Sequence, residues 1–247
     1  VRTTNLLRAE FTYKDMPEEV RDKVKARILH AIGTGLAAHD DATYSTLKRL
    51  VIAEESLAQG GARLLADGTR VTRAGAASAN CSLMSVRNQH DSYRMLTHPG
   101  CQVVPAALAV AEGTGYSGED VTVAVAAGLE VLTRIASNPE FIPAIQAHGF
   151  RSSPIHAVFG AAVAAGKLLG LNEDQMVHAI ALAATSACGT VEGARARGGE
   201  TPNQDPIGTR NGEWAAMMSK AGVNGAESAL EGPGGFYHAF SGRTDWD

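Results

Sequence analysis

Cysteine is scarce in this 247-residue chain, which contains only Cys81, Cys101 and Cys188. The three residues are odd in number and far apart, and no two of them form a Cys-x-x-Cys pair. This pattern excludes a disulfide framework and a cysteine-based zinc site as interpretations, and it is typical of a reducing compartment.

Long apolar runs are also lacking. The longest stretch without a polar side chain covers residues 157–166, far less than the roughly 20 residues that a membrane-spanning helix needs. No secretory signal pattern follows the first residues of the sequence. We therefore expect a soluble, cytoplasmic protein without a membrane partner.

Neither sign of charge dominates, since 22 basic and 26 acidic residues leave a net charge of −4. Without a basic surplus, the composition argues against binding of nucleic acid. Aromatic residues make up only 5% of the chain, whereas hydrophobic residues reach 45% and alanine and glycine are abundant. Small side chains let backbones approach closely, so this composition favours tightly packed helices.

Helical periodicity accounts for most of the chain. Apolar residues from Val20 to Leu36 recur at helical spacing, and Ser117-Gly-Glu-Asp120 has the pattern of a capping box at a helix start. The Asp67-Gly68 pair between alternating residues predicts one small β-hairpin. Residues 189–208 are rich in glycine and predict a solvated loop. We expect an all-α fold, in which residues 1–247 form one large helical-bundle domain with at most that one hairpin.

Groups able to transfer protons are concentrated in residues 88–100, between predicted helices at 73–87 and 103–114. Loops between rigid elements are favoured places for catalytic groups, because the scaffold fixes both ends. The segment ends at a predicted Pro99-Gly100 turn. An alternative interpretation is that Asp91 and Ser92 only satisfy local backbone donors. The chemically active members of the segment are Asn88, His90, Asp91, Ser92, Tyr93 and His98.

A series of short motifs, in order and almost without gaps, resembles the helical domain of the MmgE/PrpD family. It includes Met16-Pro-Glu-Glu, Asp91-Ser-Tyr followed by His98-Pro-Gly, Val104-Pro-Ala-Ala-Leu-Ala, Phe159-Gly-Ala-Ala, Arg210-Asn-Gly-Glu-Trp and Leu230-Glu-Gly-Pro-Gly-Gly. No single motif is specific, but their succession covers the length of the chain.

The resemblance implies a helical domain that forms a homodimer and a second, smaller α/β domain that closes over a cleft. The site between the two domains uses no metal and no organic cofactor, and it acts on small polycarboxylates. The shared chemistry is dehydration, decarboxylation or inversion next to a carboxylate. We expect the lid domain to be absent from residues 1–247, so that another chain, such as a separate lid subunit, would supply it.

The family's functional positions match this chain unevenly. His98 falls on the family's His-Pro histidine and is the candidate for proton transfer, which suits an imidazole. Asp91 and Ser92 fall on an Asp-Thr or Asp-Ser pair and are further catalytic candidates. Three family positions differ in residue type, since an aspartate is replaced by Asn88, a histidine by Arg151 and a lysine by Thr201. Together with Tyr93, these three are the candidates for substrate binding.

Several alternatives stay open. Arg151 could bind a substrate carboxylate or could form an ion pair with a surface acid. His90, Asp91 and His98 could be metal ligands, although three residues on one loop are a weak signal. His156, on an apolar helix, is interpreted as a core histidine. As a whole, the chain could be a lyase or isomerase, or a helical scaffold for dimerisation that has lost catalysis.

Overall fold

A computed structural model describes residues 10–94, 97–112 and 114–243, and these residues are mainly helical. The elements in chain order are α1 (Glu18–Ala37), α2 (Ala42–Glu55), β1 (Ala62–Arg63), β2 (Arg70–Val71), α3 (Arg73–Ser85), α4 (Pro99–Ala111), α5 (Gly118–Ile135), α6 (Phe141–Ala147), α7 (Ser152–Leu168), α8 (Glu173–Ala184), α9 (Glu192–Ala196), α10 (Thr201–Lys220) and α11 (Phe236–Ser241). The predicted all-α fold class is confirmed.

The predicted hairpin is also confirmed. Strands β1 and β2 are antiparallel, with Ala62 opposite Val71 and Arg63 opposite Arg70. Gly68 adopts a positive φ of 77° in the turn, a conformation that glycine reaches without steric cost. Within the described residues the two strands form the one small sheet of the fold.

Helix α7 lies at the centre of the fold and packs against α4, α5, α8 and α10. Small residues allow these close contacts. A Cβ atom added to Gly160 of α7 would lie 2.7 Å from side-chain carbons of Leu132 in α5 and Val103 in α4. The alanine- and glycine-rich composition therefore serves close helix packing, as expected.

Two local predictions were wrong. Pro99-Gly100 is not a turn, because Pro99 is the first residue of α4 and its fixed φ suits that position. Residues 189–208 are not one solvated loop, because they contain α9 and the first two turns of α10. Helices α6 and α11 were missed altogether.

The apolar stripe of α1 is only partly used in the fold. Val24 is buried, whereas Leu29 exposes 72% and Leu36 54% of their surfaces. One leucine of α2, Leu50, and one isoleucine of α10, Ile207, are also exposed. Among the described residues, no helix has the length and hydropathy needed to cross a membrane.

Candidate active site

The segment that links α3 to α4 folds back on itself and holds the candidate residues. Asn88, three residues after the end of α3, has a left-handed φ of 54° and is exposed. Further along, the Tyr93 N–H donates to the Thr97 carbonyl over 2.8 Å. Residues 95 and 96 lie outside the described part. The fold-back fixes the backbone just before His98, which is the residue that precedes the first turn of α4.

The orientation of the His98 ring is set by the backbone of Asp91. His98 Nδ1 lies 3.1 Å from the Asp91 carbonyl oxygen and 3.1 Å from Ser92 Oγ. A carbonyl oxygen can only accept, so this contact requires a hydrogen on Nδ1, and in the neutral ring the free lone pair is then on Nε2. His98 retains 9% of its surface exposed. This tautomer is the one that a general base acting through Nε2 requires.

The Asp91 side chain has a structural task. Its Oδ1 accepts from the Gly100 N–H over 2.9 Å and so caps α4, whose N-cap residue makes no side-chain cap bond of its own. Its Oδ2 lies 3.4 Å from Nη1 of Arg27 on α1. A Cβ atom at Gly100 would lie 2.7 Å from Asp91 Oδ1, so this cap needs a glycine there. The alternative interpretation of Asp91 as a local cap therefore describes the observed contacts.

Arg151 forms an ion pair with a buried acid and not with a surface acid. Its Nη1 lies 3.1 Å from Asp205 Oδ2, and Asp205 of α10 is buried. The other oxygen, Asp205 Oδ1, accepts from Gln102 Nε2 over 2.7 Å. Arg151 Nη1 also lies 3.4 Å from the Thr201 carbonyl oxygen. Asp205 thus compensates the charge that Arg151 was expected to offer to a substrate.

Gln102 connects this ion pair to the His98 segment. It lies on α4, one turn after His98, and is fully buried. Its Nε2 donates to Ser153 Oγ of α7 over 2.6 Å as well as to Asp205. A single amide therefore joins α4, α7 and α10 beneath the candidate site.

A second link to α7 begins at Thr97. Its Oγ1 lies 3.0 Å from Ser152 Oγ, and both residues are buried. The Ser152 carbonyl in turn lies 2.7 Å from His156 Nδ1. Burial lowers the pKa of His156 to about 4, and its Nε2 has no hydrogen-bond partner among the described residues. His156 is a core histidine, as predicted, but its ring is not fully satisfied as the sequence led us to expect.

His90 lies against His98. Their ring centroids are 3.9 Å apart and the ring planes are inclined by 44°. Burial lowers the pKa of His90, and the charge of His98 acts in the same direction. The nearby acidic groups of Asp91 and Asp205 act in the opposite direction.

Metal binding finds no support in this loop. Among the described residues, no three histidine, cysteine, aspartate or glutamate side chains are grouped as ligands of one ion.

A further buried carboxyl group was not anticipated. Glu213 of α10 is 0% exposed, and neither carboxyl oxygen has a hydrogen-bond partner among the described residues. Burial raises the pKa of Glu213 to about 7, although the positive charges of Arg73 and Arg210 act against that rise. A carboxyl group with this pKa is partly protonated at neutral pH.

Comparison with known proteins decides the family. The sequence matches the MmgE/PrpD N-terminal domain over residues 7–247. The chain belongs to the MmgE/PrpD family. It is 30% identical over 240 residues to a cis-aconitate decarboxylase of Aspergillus terreus, across 92% of this chain and 47% of that protein. It is 27% identical over 248 residues to the cis-aconitate decarboxylase-like protein oryM of Aspergillus oryzae, across 95% of this chain and 50% of that protein. The chain thus spans about half the length of the curated relatives it matches.

The MmgE/PrpD residues predicted from sequence fall into three groups. His98, Asp91 and Ser92 are in direct contact, and Arg151 meets the backbone of Thr201. The third group consists of Asn88 and Tyr93. Asn88 is exposed, and the Tyr93 hydroxyl accepts from Arg94 Nε over 3.1 Å. The catalytic and substrate-binding roles of all seven remain predictions.

Sequence reasoning missed Gln102 and Asp205 in this MmgE/PrpD domain. Asp205 lies in the segment that was interpreted as a solvated loop, where Pro202 and Pro206 obscured the helical pattern. The usable signal was the spacing of Gln102 four residues after His98, which places the two residues on one face of a helix.

Proposed function

We propose that this domain is part of a lyase or isomerase that acts next to a carboxylate of a small polycarboxylate, without a metal or organic cofactor. The observation that carries the proposal is the anchored His98 ring, whose Nδ1 is held by the Asp91 carbonyl so that Nε2 is free to accept a proton. The 30% identity to a cis-aconitate decarboxylase supports decarboxylation as the first reaction to test, ahead of dehydration or epimerisation.

In the proposed mechanism His98 transfers a proton at Nε2. In dehydration or epimerisation the neutral ring takes a proton from the substrate, and in decarboxylation the imidazolium, protonated beforehand by solvent, donates one to the carbon that has lost its carboxylate. The imidazolium formed is stabilised at Nδ1, since the Asp91 carbonyl oxygen accepts that hydrogen. Ser92 Oγ, also 3.1 Å from Nδ1, supports the same orientation. The ring therefore keeps one orientation while Nε2 changes its protonation.

Carboxylate binding is assigned to Arg151, with Asn88, Tyr93 and Thr201 as further substrate contacts. Arg151 uses Nη1 for Asp205, and a guanidinium has further N–H groups in its planar fork for a second carboxylate. A substrate carboxylate bound there would share a charge that is already compensated. We therefore assign Arg151 to substrate orientation and leave the larger part of charge stabilisation to groups outside the described residues.

We also propose two kinds of partner for this domain, a chain that completes the cleft and a second copy of the domain itself. A cleft of this kind needs a second wall, which another chain, a separate lid subunit, or further sequence would supply. We also propose a homodimer in the cytoplasm, because exposed apolar residues such as Leu29, Leu36, Leu50 and Ile207 offer surface to bury. Sedimentation velocity at micromolar concentration is expected to show a dimer, and a monomer under those conditions would contradict this part.

A non-catalytic scaffold is the second candidate function. It is favoured by two contacts, the use of the Asp91 carboxylate as a helix cap and the compensation of Arg151 by Asp205. Both groups then serve the fold. A scaffold would dimerise or bind a partner without turning over any polycarboxylate.

Substitution of His98 separates the two functions. We expect the natural protein, with any lid subunit present, to turn over cis-aconitate or a related polycarboxylate. His98→Ala is then expected to lower kcat by about 100-fold or more, the usual contribution of a general acid–base group. The exposed His39 serves as a matched control, and His39→Ala should leave kcat unchanged. Equal turnover in His98→Ala and in the unmodified protein would remove His98 from the mechanism.

A further inference from the structure

The two imidazole rings of the loop are placed as a pair. The His90 and His98 centroids are 3.9 Å apart, closer than the 4.5–7 Å usual for aromatic pairs. His90 is half-buried and His98 almost fully buried, so water screens the pair only in part. Any positive charge on one ring is therefore felt by the other.

Both rings are also anchored to the same atom. The Asp91 carbonyl oxygen lies 3.1 Å from His98 Nδ1 and 3.4 Å from His90 Nδ1. A carbonyl oxygen has two lone pairs and can accept from both nitrogens. In that arrangement each neutral ring carries its hydrogen on Nδ1 and presents the lone pair of Nε2.

The charges around the pair favour one proton but not two. Asp91, in the loop, and Asp205, from α10, are the acidic groups whose charges act on His90. Each of these acids already faces a cation, since Arg27 of α1 lies 3.4 Å from Asp91 and Arg151 lies 3.1 Å from Asp205. Two imidazolium ions in contact would have little net negative charge nearby to offset their repulsion.

We propose that His90 and His98 act as one unit that holds a single positive charge, with His90 as the positioning residue for His98. This inference rests on the proposed function, because it assigns His98 the proton transfer. Protonation of His98 Nε2 by the substrate places the charge beside the neutral His90 ring, which stays in contact with it.

Histidine titration by NMR tests the pair without any need for turnover. The chain has eight histidines, and selective 13C labelling with single substitutions assigns their ring signals. We expect His90 and His98 to respond to each other's protonation and to titrate in two separate steps. Two unit charges 3.9 Å apart weaken the binding of the second proton by about six-fold even with the dielectric constant of water.

Two substitutions of His90 distinguish charge from ring contact. His90→Phe keeps an aromatic ring and removes the charge, so His98 is expected to titrate in one step at higher pH. Where His98 acts as the base, the acidic limb of the kcat/KM profile should move to higher pH with it, and where its imidazolium donates the proton, the basic limb should move instead. His90→Gln removes the ring as well, and we expect a lower kcat at the pH optimum. His39→Phe is the control and should leave the His98 titration unchanged.

The outcomes separate the pair from the proposed reaction. An identical His98 titration in unmodified protein and in folded His90→Phe would overturn the pair. Should His90→Phe lose its thermal unfolding transition, the titration of His90 in His98→Gln provides the same comparison from the other ring. Coupled titration in a protein whose turnover survives His98→Ala would refute the proposed function and leave the pair standing.

Discussion

Glu213 gives the sharpest stability prediction. Substitution by glutamine keeps the size of the side chain. The carboxyl group can lose a proton and become charged, whereas the amide that replaces it stays neutral. The fully buried carboxyl has a pKa raised from 4.5 to about 7, mainly by burial. In the unfolded chain the same group is exposed to water and has its ordinary pKa.

The sign of the effect follows from proton binding. Between pH 4.5 and 7 the folded protein holds a proton on Glu213 that the unfolded chain has released, so the free energy of unfolding falls as pH rises. At about 1.4 kcal/mol per pH unit, the interval from 4.5 to about 7 corresponds to a loss of about 3 kcal/mol. Above pH 7 both states are ionised at this position and the loss is complete.

Urea unfolding between pH 4.5 and 8.5 measures this difference. At pH 4.5 the unmodified protein and Glu213→Gln should have similar free energies of unfolding, since the amide resembles the protonated acid. At pH 8.5 Glu213→Gln should be the more stable by about 3 kcal/mol. Glu54, which is exposed on α2, serves as the control, and Glu54→Gln should follow the unmodified protein. Parallel curves for Glu213→Gln and the unmodified protein would refute the reasoning.

Two further substitutions test contacts of the candidate site. Gly100→Ala would place a Cβ atom 2.7 Å from Asp91 Oδ1, so the Asp91 carboxylate must move. We expect the free energy of unfolding in urea to fall by about 1–3 kcal/mol and kcat to fall as well. A variant as stable as the unmodified protein would show that this cap does not stabilise α4. Asp205→Asn leaves the half-buried Arg151 without its anionic partner, and a loss of about 3–5 kcal/mol is expected in the same assay. A loss below about 1 kcal/mol would mean that water compensates Arg151 instead.

Much of the fold was predictable because its signals are local. The capping box at Ser117 forms, with Asp120 N–H donating to Ser117 Oγ over 3.2 Å, and its partners are three residues apart in the sequence. The Asp67-Gly68 turn forms for the same reason. Such hydrogen bonds depend on the nearest residues alone, so the sequence is sufficient to place them.

The start of α10 was not predictable because distant contacts decide it. Pro206 lacks the N–H that a helix interior uses, which argues against a helix by local rules. Close packing against α7 prevails, since a Cβ atom at Gly208 would lie 2.8 Å from the Pro154 carbonyl oxygen. The helix is retained because it fits this neighbour.

The candidate site was predictable only in part. The candidate residues before His98 were correctly placed between two helices, because helical periodicity on both sides is visible in the sequence. The partner of Arg151 was not, since Asp205 lies 54 residues away and on another helix. Glu213 is buried by the packing of α10 against α3 and α7, so its raised pKa also depends on tertiary contacts.

The atom that orients His98 belongs to the main chain, so a side-chain substitution does not remove it. A histidine held by a carboxylate loses its tether through one codon change, and the loss is visible in an alignment. The Asp91 carbonyl oxygen survives every replacement of the Asp91 side chain for as long as the loop keeps its path. Relatives that have drifted at this position can therefore share the same ring orientation, and only backbone geometry will reveal it.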